Sequence, residues 1–111
     1  MSNPEVIASS LPPGSAVLLR DYGLSDRKLL GQRLRRVCRD NNLIFLVAGS
    51  GPLAITLSAD GIHFREAQIP QVRSWRIRHP NWLVTVSTHS EESIRKAAQG
   101  GADAALISPI F

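Results

Sequence analysis

The chain has 111 residues, of which 43% are hydrophobic and 20% charged, a composition typical of one folded domain and not of a disordered or fibrous chain. Its net charge is +4 at pH 7, and its single cysteine, Cys38, excludes an internal disulfide and cannot by itself anchor a structural zinc ion. No apolar run approaches the roughly 18 residues of a membrane span, and the N-terminus lacks the basic and apolar segments of a signal peptide, so we expect a cytoplasmic protein.

The predicted elements begin after a flexible lead-in. Residues 1–15 include the run Pro-Pro-Gly at residues 12–14, which opposes both helix and interior strand, and we expect little order before Ala16. From there, short apolar runs alternate with helix signals, and the runs are nearly continuous in apolar residues, as in parallel strands covered on both faces. Five strands are predicted, at residues 16–19, 43–47, 61–64, 83–86 and 104–107.

Four helices are predicted between these strands. Ser25 is a good N-cap for the first helix, and residues 49–52 open a short second one. Pro70 suits the first turn of the third. Thr88 and Ser90 compete to cap the fourth.

The regular alternation of strand and helix indicates an α/β fold. It is compatible with a (β/α)8 barrel and with an open doubly wound sheet, and periodicity alone does not choose between them. Five strands suit an open sheet of this length, whereas a complete barrel normally needs at least about 200 residues.

Eleven of the 13 basic residues are arginines, and most lie in two stretches with helical spacing. We interpret both stretches as solvated outer faces. Binding of nucleic acid by these helices is a less favoured alternative, because no recognition motif accompanies them and aromatic residues make up only 5% of the chain. The stretches consist of Arg27, Lys28, Arg33, Arg35, Arg36 and Arg39, and of Arg73, Arg76 and Arg78.

Three further features have ordinary structural interpretations. Cys38 falls on the apolar face of the first predicted helix, which favours a core residue over a reactive thiol. His63, within a strand, is interpreted as an interior histidine with satisfied hydrogen bonds. The Gly-Ser-Gly sequence at residues 49–51 is interpreted as a turn; phosphate binding by its backbone is the alternative, although it lacks the lysine and spacing of a P-loop.

Four sequence blocks are more specific than this periodicity. They are Val-Leu-Leu-Arg-Asp at residues 17–21, Ala-Asp-Gly-Ile-His-Phe at 59–64, Val-Ser-Thr-His-Ser at 86–90, and Gly-Ala-Asp to Ser-Pro-Ile-Phe at 101–111. Their order and spacing resemble the thiamine phosphate synthase family and its thiazole tautomerase (TenI) relatives. The resemblance implies a partial (β/α)8 TIM barrel over residues 16–111, holding the second to sixth barrel strands and lacking the first, seventh and eighth.

The resemblance also implies a function in thiamine biosynthesis. The family's transferase reaction couples hydroxymethylpyrimidine diphosphate to a thiazole phosphate, with magnesium neutralising the departing pyrophosphate. Arg20 and Ser87 stand where the family has phosphate contacts. His89 lies in a loop where the tautomerase relatives use a histidine, and a histidine there is suited to proton transfer.

The chain departs from the family pattern at its metal site. Residues 46–48 read Leu-Val-Ala where the family has Asn-Asp-Arg, and Gln68 aligns with the second metal-binding aspartate, with Glu66 as the one nearby carboxylate. Leu18 and Tyr22 replace a polar contact and a phosphate-binding lysine. We therefore assign no metal ligands, name magnesium as a cofactor by resemblance only, and expect coupling to be weak or absent in this chain alone.

Two expectations about partners follow. The ligands implied by the resemblance are phosphate esters that are thiamine precursors, and the alternative is a non-catalytic module that binds phosphate esters or another protein. A barrel sector exposes strand edges, so we expect either self-association or dependence on the missing segment of the barrel.

Overall fold

The computed structural model describes residues 4–20 and 27–107. Its five strands are β1 (Ala16–Leu19), β2 (Ile44–Ala48), β3 (Gly61–Phe64), β4 (Leu83–Thr88) and β5 (Ala104–Ile107). Its five α-helices are α1 (Pro4–Ser9), α2 (Arg27–Asp40), α3 (Gly51–Thr56), α4 (Ile69–Arg78) and α5 (Glu91–Gly100), and a 3₁₀ turn, η1 (Glu66–Gln68), precedes α4. The N-cap predicted at Ser25 and the substitution at Tyr22 lie outside the described residues.

The strands form one parallel sheet in chain order, β1-β2-β3-β4-β5. A doubly wound sheet reverses its strand order part-way, whereas a barrel adds each new strand beside the last. The sequential order is therefore that of half a barrel. The prediction of about five parallel strands with four intervening helices is confirmed.

The helices cover one face of this sheet and form the core with it. Phe45 and Val47 of β2 pack with Leu34 and Cys38 of α2, and all four are buried. Further along the sheet, six buried residues from β3, β4, α4 and α5 form a second cluster, consisting of Ile62, Phe64, Val72, Val84, Val86 and Ala97. Burial raises the pKa of the Cys38 thiol, which agrees with its interpretation as a core residue.

Serine side chains are the N-caps of two of the helices. The Ser50 hydroxyl accepts a hydrogen bond from the Leu53 backbone N–H at the start of α3. Ser90 does the same for the Ser93 N–H at the start of α5. Ser90 is therefore the cap, and Thr88 instead donates to the carbonyl of Leu106, which joins β4 to β5.

The N-terminal segment differs from the predicted flexible lead-in. Residues Pro4–Ser9 form helix α1, and Ala8 is buried in the core cluster against α2. The paired prolines at residues 12 and 13 follow the end of this helix, so they do not oppose it. Leu11 also packs against the core, which fixes this segment to the rest of the fold.

Two arginines of α2 are not on a solvated face, contrary to the sequence interpretation. The Arg27 guanidinium donates to the carbonyls of Leu19 and Ala48, at the ends of β1 and β2. Arg35 is half-buried and pairs with Asp60, whose carboxylate also accepts the Phe45 backbone N–H. Both side chains reach back from the helix to the sheet, because long arginine side chains can bury their stems and keep their heads paired.

Arg76 of α4 departs from the interpretation in the same way. Its guanidinium donates to the carbonyls of Gly101, Pro80 and Trp82 and pairs with Asp103. It therefore joins α4 to the loops that precede β4 and β5. None of the helices in the described part of the chain has the length and apolar character needed to cross a bilayer.

Candidate functional site

The candidate site lies where the parallel strands end. Arg20 follows β1, Ser87 is the penultimate residue of β4, and His89 follows that strand. Since the strands run in one direction, their carboxyl ends share an edge of the sheet, which is where barrel enzymes place their catalytic loops. The fold thus brings all three predicted residues to one edge.

Strand alternation decides which side chains share a face. Val84 and Val86 of β4 belong to the helix-side core, so Thr85 and Ser87 face the opposite side of the sheet. His63 is the register partner of Thr85, and Ala48 is the register partner of His63. Three polar side chains, those of His63, Thr85 and Ser87, therefore form a polar row on β3 and β4, on the face that points away from the helices.

His63 is the centre of this row. Its Nδ1 lies 2.6 Å from Thr85 Oγ1, and its Nε2 lies 2.7 Å from Ser87 Oγ. The side chain is buried, and burial together with the positive charge of Arg20 lowers its pKa below the ordinary 6.5. His63 is therefore neutral at pH 7, and both ring nitrogens are hydrogen-bonded, as interpreted from the sequence.

Arg20 and Ser87 are both accessible at this edge. Arg20 is exposed and Ser87 half-buried. Leu19 belongs to the helix-side core, so alternation along β1 turns Arg20 toward the opposite face, on which Ser87 also lies. A guanidinium and a hydroxyl together supply the donors that a phosphate group needs. The arrangement can hold an anion.

His89 occupies a different position. It is exposed, and its backbone N–H donates to Glu66 Oε2 at 2.6 Å. This bond ties the loop after β4 to the turn after β3. The contact places His89 on the rim of the site, while the histidine that contacts Ser87 is His63.

Gln68 also connects loops at this edge. Its Oε1 accepts the Arg65 backbone N–H, and its Nε2 donates to the carbonyl of Gly49, each at 3.0 Å. The amide therefore links the turn after β3 to the turn after β2. A carboxylate at residue 68 has no N–H, so it could not donate the hydrogen bond that the Gly49 carbonyl accepts from Gln68.

The residues at this edge do not fit a magnesium ion. Magnesium prefers carboxylate oxygens in octahedral geometry. Val47 is buried in the helix-side core, Gln68 is engaged by backbone groups, and Glu66 accepts the His89 N–H. Across residues 4–20 and 27–107, no three His, Cys, Asp or Glu side chains lie close enough together to hold a metal.

The Gly-Ser-Gly segment forms a turn. The Gly49 N–H donates to the carbonyl of His63, and Ser50 caps α3. Gly51 lies directly against the indole of Trp75, since a Cβ there would fall 2.1 Å from the ring. These groups are used within the fold, which agrees with the turn interpretation.

Thr85 is the site residue that sequence reasoning missed. Alternation along β4 places residues 85 and 87 on one face, so the signal was present. What the sequence lacked was the register that sets His63 opposite Thr85, which depends on how two strands pair.

Comparison with known proteins places this geometry in a family. The family model described as thiamine monophosphate synthase matches residues 2–111. The chain belongs to this family. A putative thiamine-phosphate synthase 2 of Aquifex aeolicus is 35% identical over 97 residues, covering 86% of this chain and 52% of that protein. The thiamine-phosphate synthase of Shouchella clausii is 28% identical over 110 residues, covering 96% of this chain and 53% of that protein.

Solved structures share this fold. Thiamine phosphate pyrophosphorylase from Pyrococcus furiosus superposes with a TM-score of 0.80 at 23% identity, covering 99% of this chain and 55% of that one. Orotidine 5'-monophosphate decarboxylase from Sulfolobus solfataricus gives a TM-score of 0.59 at 14% identity, covering 72% and 46%. The chain thus spans about half the length of the thiamine-phosphate synthase proteins it matches.

Proposed function

We propose that this chain is a phosphate-ester-binding part of a thiamine phosphate synthase type of barrel and takes part in thiamine biosynthesis. The proposed ligands are the reactants that the family couples, hydroxymethylpyrimidine diphosphate and thiazole phosphate. In this proposal Arg20 and Ser87 bind phosphate and His89 transfers a proton. The observation that carries it is the position of Arg20 and Ser87 at the same carboxyl edge of the sheet, where Ser87 is hydrogen-bonded to His63.

The donor set at the edge supports binding more strongly than coupling. Arg20 supplies a permanent positive charge, and Ser87 supplies a hydroxyl. Among the described residues, no cluster of three His, Cys, Asp or Glu side chains accompanies them to hold magnesium against a departing pyrophosphate. This misfit favours the alternative, a module that binds phosphate esters without catalysing their coupling.

The test is calorimetric titration of the chain with each of the two proposed ligands, with and without magnesium. We expect saturable binding that does not depend on magnesium. Arg20→Gln should weaken it about 10- to 100-fold, because a hydrogen bond to a charged group contributes about 1.5–3 kcal/mol.

Arg36→Gln is the matched control, since Arg36 is an exposed arginine of α2 away from the strand ends. It should leave the affinity unchanged. Absence of binding in the unaltered chain, or equal losses in the two variants, would contradict the proposal. Product formation with magnesium would show instead that this site supports the coupling reaction.

Three further parts of the proposal concern context. We assign residues 16–111 to the barrel domain and residues 1–15 to a segment leading into it, although α1 packs on α2. The proposed location is the cytoplasm. We also propose that the chain self-associates through its sheet edges, because β1 and β5 each pair with one neighbour and Ile107 of β5 is 70% exposed.

A further inference from the structure

A short chain of hydrogen bonds runs through the buried part of the polar row. It links Thr85 Oγ1 to His63 Nδ1 at 2.6 Å, and His63 Nε2 to Ser87 Oγ at 2.7 Å. We propose that Thr85 and His63 are positioning residues that fix the Ser87 hydroxyl as a hydrogen-bond donor to an anionic ligand. The proposal rests on the proposed function only in naming a phosphate or pyrophosphate as that ligand.

The first step concerns the Thr85 proton. Thr85 is only 8% exposed, and its hydroxyl carries one proton that must find an acceptor. Within residues 4–20 and 27–107, the one side-chain hydrogen-bond partner of this hydroxyl is His63 Nδ1. Leaving the proton unpaired would cost the desolvation of a buried donor. Thr85 therefore donates to Nδ1, which must be the bare ring nitrogen.

The second step follows from the charge of the ring. His63 is neutral at pH 7, because burial and the neighbouring Arg20 charge both disfavour its protonated form. A neutral imidazole carries a single N–H. With Nδ1 bare, that proton is on Nε2, and Nε2 donates to Ser87 Oγ.

The third step concerns Ser87. Because its oxygen accepts from His63, its own proton is available to another acceptor. Ser87 is half-buried at the carboxyl edge, on the face where Arg20 provides a positive charge. The other tautomer would turn the Ser87 proton toward His63 and leave oxygen lone pairs facing the anion. Thr85 thus affects anion binding without touching the anion. It acts through a series of hydrogen bonds whose members polarise one another.

The test begins with a direct observation of the tautomer. In a protein with ¹⁵N-labelled histidine, long-range proton–nitrogen correlation spectra at pH 7.5 should show His63 protonated at Nε2 and bare at Nδ1. Thr85→Val, which keeps the shape and removes the hydroxyl, should shift the ring toward a mixture of tautomers. Thr85→Ser should keep the original pattern.

The second measurement is binding of inorganic pyrophosphate to the same proteins. Thr85→Val should weaken it about 3- to 10-fold, the effect of one hydrogen bond, and Thr85→Ser should restore it. Ser87→Ala should also weaken binding, and adding Thr85→Val to Ser87→Ala should produce no further loss, because Thr85 acts on the anion only through the Ser87 hydroxyl.

The outcomes separate this inference from the proposed function. A His63 ring protonated at Nδ1, or at both nitrogens, in a chain that binds pyrophosphate would overturn the inference alone. So would unchanged affinity in Thr85→Val. A ring protonated at Nε2 in a chain that binds neither pyrophosphate nor the proposed ligands would overturn both the donor role of Ser87 and the proposed function. The expected tautomer with coupled losses at Thr85 and Ser87 supports the inference.

Discussion

At the scale of single residues, the chemistry of this protein depends on which neighbours a side chain acquires. His63 is one of three histidines. The sequence predicted proton transfer for His89 and an interior structural position for His63. The fold instead gives His63 the contact with Ser87. His89 contributes its backbone N–H to Glu66 at the rim. A histidine's neighbours across a sheet come from other strands, and the local sequence does not contain them.

The lowered pKa of His63 predicts how stability changes with pH. An unfolded chain binds a proton at His63 near pH 6.5, whereas the folded chain binds it only at lower pH, because of burial and Arg20. The free energy of unfolding should therefore fall as the pH drops below about 6.5, and level off below the folded pKa. One proton limits the slope to about 1.4 kcal/mol per pH unit.

Urea unfolding between pH 5 and 8 measures this effect. His63→Gln, which cannot titrate, should show a flatter profile over the same range. All other ionisable groups are common to the two proteins, so their contributions cancel in the difference between the two profiles. Parallel profiles in the two proteins would contradict the prediction.

At the scale of elements, two strands approach each other so closely at one position that only a glycine fits there. Gly61 begins β3 beside Leu83 of β4, and a Cβ at Gly61 would fall 1.9 Å from the Leu83 carbonyl oxygen. That contact is with backbone, which cannot rotate away. The separation of β3 and β4 therefore depends on the absence of a side chain here.

Gly61→Ala should lower the free energy of unfolding by about 3 kcal/mol or more, at the upper end of overpacking effects. Gly14→Ala is the matched control. Gly14 has a φ of 87° but no atom within 4 Å of a Cβ. Its substitution should therefore lower the free energy of unfolding only by the cost of the left-handed backbone, about 1–2 kcal/mol. Equal losses in urea unfolding would show that the strands adjust to the methyl group.

The elements themselves were largely predictable. Apolar runs predicted all five strands, and capping signals placed the start of α5 within two residues but left Thr88 and Ser90 as alternative caps, because these signals are local. Helix α1 was missed, since nearby prolines indicate a break and the burial of Ala8 against α2 is a tertiary contact. Arg27 and Arg35 were assigned to solvent for the same reason. Their partners are strand carbonyls and Asp60, which are distant in sequence.

At the scale of the whole molecule, the sheet is half of a barrel with two edges. In a closed barrel each edge strand has a second neighbour. In the part of the chain that the structure describes, β1 and β5 each pair with one neighbouring strand, and unpaired strand edges are templates for association with another chain. Exposed apolar residues on β5 strengthen this tendency, with Leu106 52% and Ile107 70% exposed.

Sedimentation velocity over a range of concentrations should therefore show species larger than a single chain. Ile107→Glu should shift the equilibrium toward the monomer, because a charge on an edge strand disfavours pairing. Ile77→Glu is the control, since Ile77 is also 70% exposed but lies on α4. A monomer at all concentrations, with one cooperative melting transition, would contradict the proposed self-association.

The amino-acid sequence by itself determined the type and order of the elements, whereas the half barrel and the departure from the family's metal site were expected only from the resemblance to the family. Apolar periodicity and helix caps act within a few residues, so they can be read along the chain. Only the tertiary structure decided that Thr85, His63 and Ser87 form one hydrogen-bonded row, and that Gln68 links two loops. The physical reason for the row is strand register, since a shift of β4 by one residue would turn Thr85 and Ser87 to the other face of the sheet, away from His63.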